Sequence, residues 1–344
     1  MSFSQIILEW YGVHKRDLPW RTTINPYNIW LSEIMLQQTR VAQGIPYYNK
    51  FLEAFPTVHD LARAPEEKVL KLWQGLGYYS RARNLHTTAK IIVDTYSGEF
   101  PTTYKEVLTL KGIGDYTASA IVSICFNQPE PVVDGNVYRV LARYFGVDMP
   151  INSTSGIKYF KSLAREVMDI ENIRDYNQGI MEFGAIQCAP KSPDCDVCPL
   201  NHACVALKED RVRELPVKLK KAKIKSRYFN YLVFIDEHGK TLWEQRKGKG
   251  IWQNMYQFPL METDQSVDVS KIRELAVKNI GVDVGRVTLY NTDVIIHKLS
   301  HQHLYTQFWV LESTTPLTNG ISWQSIFDFP VPVLISDFIK TFKI

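Results

Sequence analysis

The sequence predicts two domains of different class: an all-α domain over residues 1–210 and an α+β domain over 227–344, joined by a basic linker at 211–226. Three observations carry this division. Apolar residues recur at helical spacing through the first 210 positions, and strand-like runs begin only after Arg227. Between the two textures, Pro216 to Arg227 holds six basic residues and no acidic one. A length of 344 residues accommodates two domains of ordinary size.

Trp30, Ile34, Leu36 and Val41 mark one helical face, Val69, Leu70, Trp73 and Leu76 a second, and Ala118, Ile121, Val122 and Cys125 a third. Gly75–Gly77, Pro101 and Gly112–Gly114 punctuate these segments. Beyond the linker, Tyr228–Ile235 reads as a strand, Asp236–Gly239 as a turn and Thr241–Glu244 as a return strand. Ser270–Ile280 is amphipathic, with Ile272, Leu275, Ala276 and Ile280 on one helical face. Val294–Ile296 and Leu304–Leu311 complete the strands, and no internal repeat is present.

Hydrophobic residues at 45% and charged residues at 22% are ordinary for a soluble globular protein. No apolar run approaches the roughly 20 residues of a membrane span. Met1–Trp10 carries no basic n-region, which argues against a secretory signal and makes the cytoplasm or nucleoid the expected location. The net charge is +4, and the six basic residues of the Pro216–Arg227 run (Lys218, Lys220, Lys221, Lys223, Lys225 and Arg227) more than account for it. Such a run suits a phosphate backbone; on charge alone it also suits a solvated linker.

Of five cysteines, Cys188, Cys195, Cys198 and Cys204 fall within seventeen residues, spaced C-x6-C-x2-C-x5-C. Such clustering in a cytosolic chain favours a metal centre over disulfides. With no second C-x2-C pair at a distance, the spacing fits an iron–sulfur cubane better than a zinc ribbon, although four thiolates also suit zinc. Pro193 and Pro199 stiffen the loop, His202 is redundant as a ligand, and Cys125 belongs to an apolar helix as an inert thiol. Placed where the helical domain ends, the cluster reads as a structural clasp.

Leu110-Lys111-Gly112-Ile113-Gly114 separates two helical segments, Tyr104–Leu110 and Asp115–Phe126. The turn presents backbone N–H groups at a helix N-terminus, where phosphate binds readily. Twenty residues on, Val132-Val133-Asp134-Gly135-Asn136-Val137-Tyr138-Arg139 places an acid at the entrance of another helix. Alone, Asp134 is equally well an N-cap.

Hairpin, Asp-Gly-Asn and cysteine cluster, in that order, resemble the endonuclease III superfamily of base-excision glycosylases across the first 210 or so residues. The resemblance implies a helix-hairpin-helix glycosylase domain with a [4Fe–4S] cluster on Cys188, Cys195, Cys198 and Cys204. It also implies that Gly112 and Gly114 grip DNA and that Asp134 is catalytic, with Val137 and Arg139 completing the V-D-x-x-V-x-R motif. Bifunctional members carry lysine in G-x-G-x-K-T-A; here Tyr116 occupies that position, which implies monofunctional hydrolysis.

Asp17-Leu18-Pro19-Trp20-Arg21 and Ser32-Glu33-Ile34-Met35-Leu36-Gln37-Gln38-Thr39 resemble the MutY-type adenine glycosylases, which act on adenine opposite 8-oxoguanine. In that light Glu33 is the general acid at adenine N7, its pKa raised by burial against Trp30 and other apolar residues. Asp134 would stabilise or capture the oxocarbenium-like sugar, with Tyr116 and Asn136 orienting the pair. Arg21, Gln38 and Tyr78 match DNA-contacting positions, the last two filling or wedging the base stack. The implied partner is double-stranded DNA carrying A:8-oxoguanine or A:G, bound by a monomer.

Lys249–Pro259 and His297–Leu304 resemble the MutT-like (Nudix) domain that follows in those enzymes. A Nudix hydrolase needs an R-E-x-x-E-E box, but Arg273-Glu274-Leu275-Ala276-Val277-Lys278 keeps only its first two residues, so triphosphate hydrolysis is not expected. The resemblance instead implies an 8-oxoguanine sensor built on Leu299, Ser300 and His301. Leu299 stands where phenylalanine is typical, which leaves a polar readout and calls an aromatic wedge into question; His297 and His303 read as ordinary strand or turn residues. The rivals are an endonuclease III-like or mismatch thymine glycosylase and a noncatalytic DNA-binding module. Tyr116, Glu33 and the second domain argue against the first, and the second domain argues most against the second; the pair Glu33 and Asp134 argues against the third.

Overall fold

The computed structural model describes residues 1–220 and 224–344, so Lys221 and Lys223 of the basic run lie outside the described residues. Two compact units form: one from Met1–Arg63 and Asn84–Lys220, the other from Ala64–Arg83 and the chain beyond Lys220. Among the described residues no helix is long and apolar enough to cross a membrane.

The first unit is helical: α1 (Phe3–His14), α2 (Pro26–Leu36), α3 (Val41–Ala54) and α4 (Val58–Arg63) precede the excursion into the second unit. That excursion holds α5 (Glu66–Trp73) and the start of α6 (Ser80–Tyr96). The first unit resumes with α7 (Tyr104–Thr109), α8 (Asp115–Phe126), α9 (Gly135–Phe145), α10 (Thr154–Val167), α11 (Ile173–Ile186) and α12 (Val205–Lys208). Asn25 caps α2, its side chain accepting from Tyr27 N at 2.9 Å, and Pro26 sits at the tolerated first turn. α2 ends at Leu36 because the chain turns through Gln38, whose φ is +58°. Val41 therefore starts the next helix instead of continuing the face of Trp30 and Ile34, and Leu76 likewise lies beyond α5.

α8 is buried from Thr117 to Cys125, as a central helix must be, and packs on α2, α7 and α11. α11 packs in turn on α1 and α9. Gly184 permits the α11–α9 approach, since a Cβ there would stand 2.7 Å from Asn136 Cβ. This close packing brings the N-terminus of α9 to the centre of the unit.

The second unit contains β1 (Lys225–Ile235), β2 (Lys240–Thr241), β3 (Glu244–Gln245), β4 (Tyr256–Gln257) and β5 (Leu260–Thr263). After α13 (Val269–Ile280) come β6 (Val284–Leu289), β7 (Ile295–Lys298), β8 (Gln302–Ser313), β9 (Ile321–Ser322) and α14 (Val333–Thr341). The main sheet runs β5-β1-β8-β6 with β7 also on β8; β1 and β8 are parallel, the other pairs antiparallel. Ile272 and Ala276 of α13 pack on Leu232, Phe234, Trp309 and Leu311.

The expected return strand at Thr241–Glu244 does not form. Lys240–Thr241 pairs with Ile321–Ser322, and Glu244–Gln245 with Tyr256–Gln257. Asp236 is the cause: its carboxylate accepts from His238 N, Lys240 N and the distant Leu317 N at 2.8–3.0 Å, turning the chain towards β9. Long-range bonds also recruit residues 64–83 to this unit. Lys71 Nζ donates to the carbonyl of Phe329 at 3.0 Å, and Asn254 Nδ2 to Glu66 Oε1 at 2.6 Å.

Candidate active site

An open cavity of about 880 Å3 lies in the first unit, walled by α2, α8, α11, the N-terminal end of α9 and residues of the 16–21 and 37–42 segments. It is of the size that holds small ligands, and Glu33, Tyr116, Asp134 and Asn136 all line it. Among the described residues no lysine does so.

Glu33, on α2, is only 8% exposed. Burial pushes its carboxyl up to about 7; a hydrogen bond from Tyr116 pulls it down and the Asp134 charge pushes it further up. Trp30 does not line the cavity: it packs on Tyr27 and Phe100, while Ile29, Leu36 and Ile124 supply apolar wall. The Tyr116 hydroxyl reaches both the Glu33 carboxyl and Met181 Sδ, the latter at 3.2 Å. Having one proton, it donates to the Glu33 carboxylate, or accepts from protonated Glu33 and donates to the thioether.

Asp134 caps α9: Oδ1 accepts from Asn136 N at 2.9 Å and Val137 N at 2.8 Å, and Oδ2 from Asn136 Nδ2 at 2.7 Å. Desolvation raises its pKa, against these three donors and the charge of Arg139. The helix dipole adds to the stabilisation of its charged form. One cavity thus holds two carboxyls in unlike surroundings: Glu33 is desolvated on α2, and Asp134 is held by three donors at a helix N-terminus. Arg139 ties this end of α9 to the cysteine loop, donating to Asn136 Oδ1 at 3.0 Å and Cys188 O at 2.7 Å, and also to Gly184 O.

Sequence reasoning missed Glu182. Burial would raise its pKa, but guanidinium bonds from Arg16 and Arg21 at 2.6–3.0 Å bring it down to about 2. The available signal was an acid alone on the apolar stretch Ile180–Ile186. Arg21, expected at DNA, is held against Glu182 with a side chain 14% exposed. Gln38 lines the cavity rim in left-handed backbone conformation, a strain typical of functional turns.

The two hairpin glycines differ. Gly112 has φ +81°, and a Cβ there would meet Asn84 Cβ at 2.7 Å. Gly114 precedes α8 with φ −100°, and nothing lies within 4 Å of its ideal Cβ. Gly112 is required by the fold, whereas Gly114 leaves the helix amides open to an approaching group.

Cys188, Cys195, Cys198 and Cys204 surround one small cavity that Arg143 also lines. Arg143 Nη1 donates to Cys188 Sγ at 3.4 Å and to Ala189 O at 2.8 Å. Burial and mutual charge push the other three thiols up, Cys198 to about 11, so four thiolates here call for cationic compensation. Among the described residues no three His, Cys, Asp or Glu groups converge on a single-ion site.

In the second unit, Tyr78, Trp252, Leu299, Ser300 and His301 line a pocket of about 440 Å3. Tyr78 is 48% exposed, has φ +48° and lies under the Arg81 guanidinium, 5.5 Å from its ring centroid. Ser300 Oγ lies 3.2 Å from His301 Nδ1.

A helical unit with a hairpin, a two-carboxyl cavity and a four-cysteine loop is the arrangement of a base-excision DNA glycosylase. Residues 31–165 match the HhH-GPD superfamily of base excision DNA repair proteins, and residues 230–341 match the NUDIX domain. The chain is 36% identical over 304 residues to the adenine DNA glycosylase of Buchnera aphidicola subsp. Schizaphis graminum, covering 88% of this chain and 85% of that one. It belongs to the adenine DNA glycosylases, DNA-binding enzymes of base excision repair. A thermostable thymine-DNA glycosylase superposes with TM-score 0.57 at 32% identity, 95% of it matching only 60% of this chain. Endonuclease III in a non-covalent DNA complex gives 0.52 at 25% identity, over 60% of this chain and 94% of that one.

Proposed function

We propose that this chain hydrolyses the N-glycosidic bond of adenine paired with 8-oxoguanine or guanine in double-stranded DNA, after flipping the adenine into the Glu33–Asp134 cavity. The observation that carries the reading is the pair of carboxyls in unlike surroundings within one cavity. Protonated Glu33 gives its proton to adenine N7, and the C1′–N9 bond breaks with its electron pair leaving on the base. Asp134 faces the cationic sugar and stabilises or captures it; Asn136 holds the carboxylate and Tyr116 the acid. Water adds to C1′ and its proton returns to the Glu33 carboxylate, leaving an abasic site. With Tyr116 in place of lysine, no amine stands ready for a Schiff base and the reaction ends at hydrolysis.

Residues 1–210 carry the chemistry, with Gly112, Gly114, Arg21, Gln38 and Tyr78 serving the DNA directly or by shaping the surface that meets it. Residues 227–344, reached through the linker at 211–226, read the opposite base with Leu299, Ser300 and His301. Cys188, Cys195, Cys198 and Cys204 hold a [4Fe–4S] cluster. Their spacing, with no second C-x2-C pair at a distance, and their gathering around one cavity support a cubane over a zinc ribbon. The cluster supplies a rigid clasp for the loop that Arg139 and Arg143 grip. The enzyme acts as a monomer, in the cytoplasm on nucleoid DNA. Single-turnover cleavage of duplexes carrying A:8-oxoguanine, A:G and T:G tests this: the first two are cut, and cleavage of T:G alone overturns it.

A further inference from the structure

Lys161, on α10, takes no part in the chemistry above, yet its ammonium sits at a junction of three segments. It donates to Asp115 Oδ2 at 3.0 Å, Ser119 Oγ at 2.8 Å and Pro131 O at 2.7 Å, so all three of its protons have acceptors. Its side chain is 16% exposed, and that of Asp115 is 50% exposed.

Asp115 is the first residue of α8, directly after Gly114. A carboxylate there suits the helix dipole but competes with a phosphate for the same amide end. Tyr104 OH binds its Oδ1 at 2.6 Å while Lys161 takes Oδ2, drawing the carboxylate onto them and neutralising it. Pro131 opens the three-residue approach to Asp134. The same approach is held from α11 by Asn177, which donates to Glu130 O at 2.8 Å and accepts from Val132 N at 3.3 Å. Lys161 and Asn177 thus clamp the segment from two helices.

We propose that Lys161 is a positioning residue that masks Asp115 at the DNA-gripping hairpin and fixes the segment that delivers Asp134. The proposal rests on the reading of the hairpin as a phosphate site. The two roles separate experimentally, because the mask requires Asp115 and the positioning requires Pro131.

The test uses the full chain, with Kd measured on a duplex carrying non-hydrolysable 2′-fluoroadenosine opposite 8-oxoguanine. Single-turnover rates are taken on the cleavable duplex at saturating enzyme. Lys161→Met is expected to weaken Kd about tenfold and slow cleavage about tenfold. Adding Asp115→Asn restores Kd to within about twofold of wild type but leaves the rate low, a split that general damage to the fold does not produce. Adding Glu106→Gln instead, which matches the net charge from a neighbouring exposed site, recovers neither. Lys161→Gln carries the same comparison should the methionine variant not fold. Failure of Asp115→Asn to restore Kd overturns the mask, and an unaltered rate in Lys161→Met overturns the positioning. Gly114→Val distinguishes the underlying reading: if it binds DNA as wild type does, the hairpin is not the phosphate site.

Discussion

Arg139 and Cys188 are joined by a 2.7 Å hydrogen bond from the guanidinium Nε to the carbonyl oxygen, and the same guanidinium reaches Asn136 Oδ1 at 3.0 Å. Asn136 in turn holds Asp134, so the first cysteine of the loop lies three hydrogen bonds from the carboxylate proposed to face the sugar. Arg139→Lys keeps the charge but cannot fork to these acceptors. It is expected to lose about 2–4 kcal/mol of stability in denaturant titration and to cut single-turnover cleavage at least about tenfold. A variant of unchanged rate would break the link between loop and active site.

The proposed reaction needs Glu33 protonated, and burial pushes its carboxyl up to about 7. The cleavage rate should therefore fall as pH rises through about 7. Because the folded-state pKa is raised above its unfolded value, folding takes up a proton between them, and stability declines as pH climbs from about 4.5 to about 7. Glu33→Gln removes that cost. It should be inactive yet up to about 3 kcal/mol more stable at pH 8, with no such gain at pH 4. Calorimetric melts at the two pH values decide this.

Asp134 caps α9 and is proposed to face the sugar cation, and Asp134→Asn separates the two roles. Asparagine caps helices as well as aspartate, so the melt should move by less than about 1 kcal/mol. Loss of the charge should slow single-turnover cleavage at least about 100-fold. Full activity in this variant would reduce Asp134 to a cap.

The hairpin glycines should part company under substitution. Gly112→Ala meets both a positive φ and the Asn84 side chain and should lose about 1–3 kcal/mol. Gly114→Ala meets neither and should melt like wild type while binding DNA more weakly. Equal melting temperatures for the two variants would remove the distinction.

What could be read from sequence was what short spacing encodes. The hairpin and the Asp-Gly-Asn turn each lie within a few residues and the cysteine loop within seventeen, and their local geometry follows from glycine conformation, capping and thiol chemistry. Glu182 escaped notice because its partners Arg16 and Arg21 lie more than 160 positions away. The pairing of β2 with β9 depends on Asp236 reaching Leu317, 81 residues on. Residues 64–83 look like any other helical stretch until Lys71 and Glu66 find acceptors and donors beyond residue 250. Glu33 was visible as a residue, but the cavity it lines, with Ile29, Leu36 and Ile124 as apolar wall, depends on how α2 packs on α8.

The pocket of Tyr78, Trp252, Leu299, Ser300 and His301 leads to the last prediction. 8-Oxoguanine differs from guanine by an N7–H donor and an O8 acceptor, and a hydroxyl beside an imidazole can pair with both. Ser300 and His301 stand 3.2 Å apart, close enough to address the two adjacent atoms together. The double variant Ser300→Ala/His301→Ala should therefore lower cleavage of A:8-oxoguanine about tenfold while leaving A:G nearly unchanged, since a site built for a polar group discriminates through it. Leu299 offers an aliphatic contact at the same mouth, and Leu299→Phe should tighten binding of both duplexes through added ring surface, without altering their ratio. Competitive single-turnover assays on the two duplexes give the ratio directly. An undiminished preference for 8-oxoguanine in the double variant would move the readout away from this pocket.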